Sequence, residues 1–154
     1  MITTKEDVDR YKSYSEEYIR ENQNSLNWDM VSCWCKLSED FIREFTDKVD
    51  WKYISLGQIL PEEFIREFAD KVSWSHVSSR QKLSEDFIKE FQDKVNWYVI
   101  CLNQKLSEDF IREFKDKVDW FAIAYNQELS KEFINEFEEV QHHLEAINKE
   151  SFYV

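Results

Sequence analysis

"LSEDFIREFKDKVDW", Leu106 to Trp120, decides the fold, because the chain writes it three times with few changes. The same words run from Leu37 as "LSEDFIREFTDKVDW" and from Leu83 as "LSEDFIKEFQDKVNW". Working outward, Trp28, Trp51, Trp74, Trp97 and Trp120 are spaced by 23 residues, and so are Leu37, Leu60, Leu83, Leu106 and Leu129. A degenerate copy, "YSEEYIRENQNSLNW", begins at Tyr14. Six copies therefore start at residues 14, 37, 60, 83, 106 and 129, after an N-terminal lead over 1–13. A fixed period of this kind marks a repeat array in which each unit covers its neighbour.

Each copy carries two helix starts. In the copy from Leu106, Ser107 is a good N-cap because its hydroxyl can accept from a free helical N–H. Glu108 and Asp109 follow, where the helix dipole favours negative charge. Phe110, Ile111, Phe114 and Val118 then share one helical stripe. Pro61 replaces the Ser in the third copy, which fits a helix start. The second start lies at Asn27, Asp50, Ser73, Asn96 and Asp119, each just before the repeat Trp and each an N-cap type. The helix that follows turns Trp97 and Ile100, or Trp120 and Ile123, inward. The next position is always small, reading Ser32, Ser55, Ser78, Cys101 and Ala124, so a neighbouring helix can come close. Gly57, Asn103 and Asn126 tolerate the left-handed conformation that ends many helices. Trp34 and Arg80 depart from that pattern, which predicts a different closure there. The helices should be about ten and about seven residues long, too short to be stable alone.

The end copies differ. Asn22 stands where the second Phe should be, as suits a polar cap. In the last copy His142 and His143 replace the Asp–Trp pair, while Phe133, Phe137, Val140, Leu144 and Ile147 continue at heptad spacing. The pattern predicts one long C-terminal helix over about 130–149. It would be a lid on the last repeat or, through those five residues, an oligomer helix. The expected fold is all-α: an α-solenoid of stacked short helix–turn–helix repeats with a long C-terminal capping helix, one domain over 1–154.

Composition narrows the function. The 154 residues carry a formal net charge of -12, with 16% aromatics and one Gly and one Pro. Few turn formers argue against a β-rich fold. The charge opposes nucleic-acid binding unless a basic stripe survives locally. Arg20, Arg43, Arg66, Lys89 and Arg112 do form such a ladder, but Glu lies four residues before and one after each. The ladder is neutralised, and no nucleic-acid role is expected. Cys33, Cys35 and Cys101 are odd in number and lack a CxxC, so they read as free thiols of a reducing compartment. No stretch is apolar enough to span a membrane, and the opening MITTKEDVDR lacks a signal-peptide run. The expectation is an intracellular protein without a membrane partner.

No catalytic constellation stands out. The carboxylates recur with the repeat as i,i+4 ion pairs such as Glu113–Lys117 and Glu108–Arg112. His76 stands alone, and neighbours such as His142 and His143 diverge by about 100° on a helix, so no metal site is expected. No Gly-rich phosphate loop, GxSxG or HExxH is present. No cofactor and no enzymatic activity are expected.

Variation inside the fixed frame is the positive signal. Just after each Trp the chain reads Asp29, Lys52, Ser75, Tyr98 and Phe121, then Met30, Tyr53, His76, Val99 and Ala122. Further on it reads Cys33, Leu56, Ser79, Leu102 and Tyr125. Lys52, Tyr53, Leu56, His76, Tyr98, Leu102, Phe121 and Tyr125 form the expected partner-binding face. Drift on an idle face would leave the same pattern.

The words "LSEDFIREF", "DKVDW" and "NQKLSEDF" resemble the short tandem repeats carried in many copies by large DNA viruses of amoebae, the marseilleviruses and their relatives. The resemblance covers about Leu37 to Phe137. It implies an interaction module or virion component of the host cytoplasm or the particle, with no catalytic residues to carry over. The first and last copies depart from the motif, which leaves the ends, and any homodimer they form, open. The expected function is a non-catalytic protein–protein interaction module with a protein partner. The alternative is a structural virion component that self-associates.

Overall fold

The computed structural model describes residues 4–150, with side chains over 4–147. Residues 1–3 of the N-terminal lead lie outside it. Among the described residues there are thirteen helices and no strand. The chain divides into two compact units, Met1–Gln81 and Lys82–Val154.

The first unit holds α1 (Lys5–Lys12), α2 (Glu16–Glu21), α3 (Trp28–Trp34), α4 (Glu39–Glu44), α5 (Trp51–Gly57), α6 (Glu62–Glu67) and α7 (Trp74–Arg80). The second holds α8 (Glu85–Glu90), α9 (Trp97–Asn103), α10 (Glu108–Glu113), α11 (Trp120–Asn126), α12 (Lys131–Glu136) and α13 (Glu138–Glu150). In the first unit α1 packs on α3, α3 on α5 and α5 on α7; in the second α9 packs on α11 and α11 on α13. The all-α stacked-repeat class is borne out.

The helix starts lie where the residue types demand them. Ser15, Ser38, Ser84, Ser107 and Ser130 are N-caps whose side chains accept from the N–H three residues on, and Pro61 is an N-cap without that bond. Asn27, Asp50, Asn96 and Asp119 cap the second helices in the same way. Ser73 does not: its Oγ lies 2.8 Å from His76 Nδ1.

Aromatic stacking joins consecutive copies. Trp51 of one copy lies 6.3 Å from Phe64 and 4.6 Å from Phe68 of the next. Trp28 with Phe41 and Phe45, and Trp97 with Phe110 and Phe114, repeat the arrangement. The indole N–H of Trp28, Trp51, Trp74 and Trp97 donates to the carbonyl five residues earlier, which satisfies the one polar atom of a half-buried ring. Phe41, Phe64, Phe87 and Phe133 are fully buried, with Ile42, Ile65, Ile88 and Ile111 beside them.

Several expectations need correction. The first helix of a full copy has six residues, not about ten. Phe45 leaves the helical region at φ -109°, ψ 30°, and its carbonyl then accepts from Lys48 and Val49 N–H, making a separate turn. Gly57, Asn103 and Asn126 do not end their helices in a left-handed conformation; no described residue has that backbone. They are the last helical residues, and the following Gln58, Gln104 and Gln127 are extended caps. Helices α3 and α7 close the same way at Cys35 and Gln81, so Trp34 and Arg80 require no different ending.

Gly57 has another role. A β-carbon there would overlap the backbone carbonyl oxygen of Cys33, with the Cys33 Cα and carbonyl carbon at 3.0 Å. Helices α3 and α5 meet too closely for a side chain at this point. Gly57→Ala should therefore cost about 1–3 kcal/mol through overpacking, read as a lower urea midpoint with an unchanged slope.

The single C-terminal helix is also corrected. Phe137, at φ -118°, ψ 106°, breaks it into α12 and α13. Phe137 turns its ring onto Trp120, 4.9 Å away, as Phe45, Phe68 and Phe114 turn theirs onto Trp28, Trp51 and Trp97. The break lets α13 lie against α11 as the second arm of the last hairpin. At 13 residues α13 is nevertheless the longest described helix. In the first unit α1 covers α3. Its capping box pairs Thr4 with Asp7, and Tyr11 is its buried anchor.

Candidate functional site

The first-helix side of the array is occupied by its own bonds. Arg20 donates to Glu44, Arg43 to Glu67, Lys89 to Glu113 and Arg112 to Glu136, always one copy ahead. The guanidinium of Arg20, Arg43 and Arg112 also lies about 5 Å above Phe41, Phe64 and Phe133 respectively. Glu16 and Glu108 accept the N-cap N–H of Ser38 and Ser130, both at 2.6 Å. The Ser130 N–H and hydroxyl hold the Glu108 carboxyl below its usual range. The basic ladder is thus an internal fastening, and its cations face carboxylates of the same chain.

A second fastening was missed in the sequence. Gln58 donates from Nε2 to the carbonyls of Ser32 and Cys35 at 2.9 and 2.8 Å. Gln81 does the same to Ser55 and Gln58, and Gln127 to Cys101 and Gln104. Their Oε1 atoms accept Leu37, Leu60 and Leu106 N–H. Each Gln thus ties the preceding copy to the Leu that leads into the first helix of its own copy. The signal was the 23-residue recurrence of Gln itself. It passed unread because Gln is usually a surface residue.

Of the three free thiols Cys35 and Cys101 are buried and Cys33 is half-buried. Burial pushes Cys35 and Cys101 up to about 11 and raises Cys33 less far. Cys35 Sγ donates to the Tyr11 carbonyl at 3.1 Å. Among the described residues no group of three His, Cys, Asp or Glu is placed to hold a metal, and no helix is long and apolar enough to cross a membrane.

The second-helix side differs. In the first unit α1, α3 and α5 enclose a groove of about 440 Å³. Its apolar lining is Tyr11, Met30, Trp34, Tyr53 and Leu56, with Asp7, Arg10 and Asp29 among the polar lining residues. That volume falls in the ~300–1,000 Å³ range of ligand clefts. Of the expected face, Tyr53 and Leu56 line this groove, and Lys52 lies 6.0 Å over the Tyr53 ring. His76 is half-buried against Ser73 and outside the groove. Trp34 was not anticipated as a site residue, although it is the one Trp off the 23-residue spacing. It is 38% exposed, and Lys12 Nζ lies 5.5 Å above its ring.

In the second unit the expected residues do meet. Helices α9 and α11 pack side by side and place Tyr98 and Phe121 at equivalent positions, with Leu102 and Tyr125 one turn on. Tyr98 is 48%, Phe121 46% and Tyr125 66% exposed, while Leu102 is half-buried. The Phe121 and Tyr125 rings stack at 6.1 Å, and His143 of α13 meets the edge of Phe121 at 5.8 Å.

The expected oligomer stripe is largely used within the chain. Phe133 and Val140 are fully buried, Phe137 stacks on Trp120, and Leu144 and Ile147 are half-buried. The heptad steps run across two helices, α12 and α13, that pack on each other, with α13 also on α11, so they do not form one continuous free stripe.

Comparison with family models, with curated proteins and with solved structures finds no match to the chain.

Proposed function

We propose that this protein is a non-catalytic protein–protein interaction module, with a protein partner held on the second-helix side. The observation that carries the reading is the contrast between the two sides. The ladder and the Gln bridges use up the polar groups that join the copies. The variable positions after each Trp leave Tyr98, Phe121 and Tyr125 exposed, and the last helical position of α3 leaves Trp34 exposed. Exposed Trp and Tyr beside apolar neighbours are the residue types that dominate binding energy at protein interfaces. The resemblance to amoebal-virus repeats favours a viral adaptor acting in the host cytoplasm.

A self-associating structural component is the second reading. One observation weighs against its end-to-end form. The last copy has Lys131 where the others have the Glu that grips the next N-cap, and Asn135 where they have the forward-reaching Arg or Lys. It lacks both groups through which earlier copies hold their successors.

The test is affinity capture from infected host cells, with full-length protein as bait and mass-spectrometric readout. The control carries Trp34→Asn and Tyr53→His, residues the frame itself uses at those positions as Asn103 and His76. A protein recovered by the parent and lost with the control, at equal melting temperature, supports an adaptor bound through the groove. Equal recovery of every protein by both baits contradicts it.

A further inference from the structure

Each junction between copies has a donor half and an acceptor half, and the first copy carries an acceptor half with no donor on it. Three junctions show the full arrangement. Arg20 donates to Glu44 with its guanidinium 5.0 Å from the Phe41 ring centre, Arg43 to Glu67 at 5.1 Å from Phe64, and Arg112 to Glu136 at 4.9 Å from Phe133. The acceptor is thus an aromatic ring with a Glu three residues on, on the same helical face. Copy one keeps that pair as Tyr18 and Glu21 of α2. Helix α1 precedes it in the second-helix register, since Lys5 stands 23 residues before Trp28, but among the described residues no first helix precedes α2. Tyr18 is 41% exposed even though Tyr14 lies 4.5 Å from its ring, whereas Phe41, Phe64 and Phe133 have no exposed surface. Glu21 is exposed, its neighbour Arg20 is turned onto Glu44, and among the described residues no cation pairs with it.

We infer that Tyr18 and Glu21 form an anchor point for an arginine side chain of a protein partner. The chain itself selects the occupant. Where the same two positions are covered in the three junctions above, a guanidinium covers them. A planar guanidinium can meet a carboxylate with parallel N–H donors while it lies on a ring face, which an ammonium cannot do. A fourth junction separates the two cations. Lys89 pairs with Glu113, and its ammonium lies 6.0 Å over the second ring, Phe114. Copy one has Asn22 at the position of Phe114. It keeps the ring that a guanidinium covers and lacks the ring that an ammonium covers. Charge agrees with this. Glu17 is exposed one turn before Glu21, and a chain of net charge -12 draws basic segments towards it. A second copy joined head to tail would bring Asn135 to this place, where the other copies have Arg or Lys, so the donor comes from a different protein. The anchor lies on the first-helix side and does not rest on the second-helix reading.

NMR titration of the isotope-labelled full chain tests this. The probe is a capped helical peptide of alanine and glutamine with one central arginine. The expected result is a saturable shift centred on the Tyr18 ring and the Glu21 carboxylate. The dissociation constant should be on the order of 1–10 mM, as suits one solvent-exposed anchor. Citrulline in place of the arginine keeps its shape and removes its charge, and should weaken binding at least about fivefold. Glu21→Gln in the protein should do the same, and Glu21 is exposed, so the fold is kept. A lysine peptide should bind about threefold or more weakly. Tyr18→Leu gives a second variant, which should weaken the arginine peptide about threefold by removing the ring. No saturable shift at these two residues up to about 50 mM peptide overturns the inference. So do shifts spread evenly over the exposed carboxylates, equal binding of the lysine peptide, or binding that Glu21→Gln leaves intact. None of these outcomes bears on the groove, whose partner is tested separately by the Trp34 and Tyr53 control.

Discussion

Gln81→Ala should lower stability by about 3–4 kcal/mol. Gln81 is 4% exposed, and its amide holds the Ser55 and Gln58 carbonyls at 3.0 and 2.9 Å and the Leu60 N–H at 2.9 Å. Removing the side chain orphans three backbone groups at once. Each buried group left without a partner costs about 1–3 kcal/mol, and water entering the gap recovers part of that. Gln58 makes the same bonds but is half-buried, so Gln58→Ala should cost distinctly less. Urea unfolding followed by tryptophan fluorescence measures both. Equal, small losses would show that the bridges are ornamental and that apolar stacking alone orders the copies.

Phe64→Ala should cost about 3–5 kcal/mol, the range for emptying a fully buried aromatic site. Phe64 has no exposed surface. It sits between Trp51 at 6.3 Å and Phe68 at 4.8 Å, with the Arg43 guanidinium 5.1 Å above its ring. The cavity would open at the junction of two copies, where stacked repeats obtain their cooperativity. The melting temperature should fall on the order of 10 °C. Arg43→Ala at the same junction removes exposed ion pairs, which contribute little in water, and should move it far less. A Phe64→Ala protein melting with the parent would mean that the aromatic ladder is not the core.

Much of the fold was legible because the repeat supplies its own comparison. Ser38, Ser84 and Ser107 in one register, and Asp50, Asn96 and Asp119 in another, marked the N-caps that the structure uses. Helix ends were less legible. Gly57 and Asn103 are common left-handed terminators, but here the chain leaves through an extended Gln whose side chain bonds the previous copy. That choice depends on a tertiary partner no local pattern contains. Phe137 misled for a related reason: its heptad spacing fits a continuous helix, whereas stacking on Trp120 breaks it. The α9–α11 patch was readable as variation within a constant frame. The groove in the first unit was not, because α1, which builds one wall of it, lies outside the repeat.

The side chains that make the fold are those of the repeat frame, and the exposed side chains of the second helices are dispensable for it. Thermal unfolding of a single variant with Trp34→Asn, Tyr53→His, Tyr98→Ser, Phe121→Ser and Tyr125→Ser tests that division most directly. Each replacement uses a residue that another copy carries in the same place: Asn103, His76, Ser75 for both Tyr98 and Phe121, and Ser79. The expected melting temperature is within about 3 °C of the parent. A fall of about 10 °C or more would mean that these side chains are part of the core, and would contradict that division.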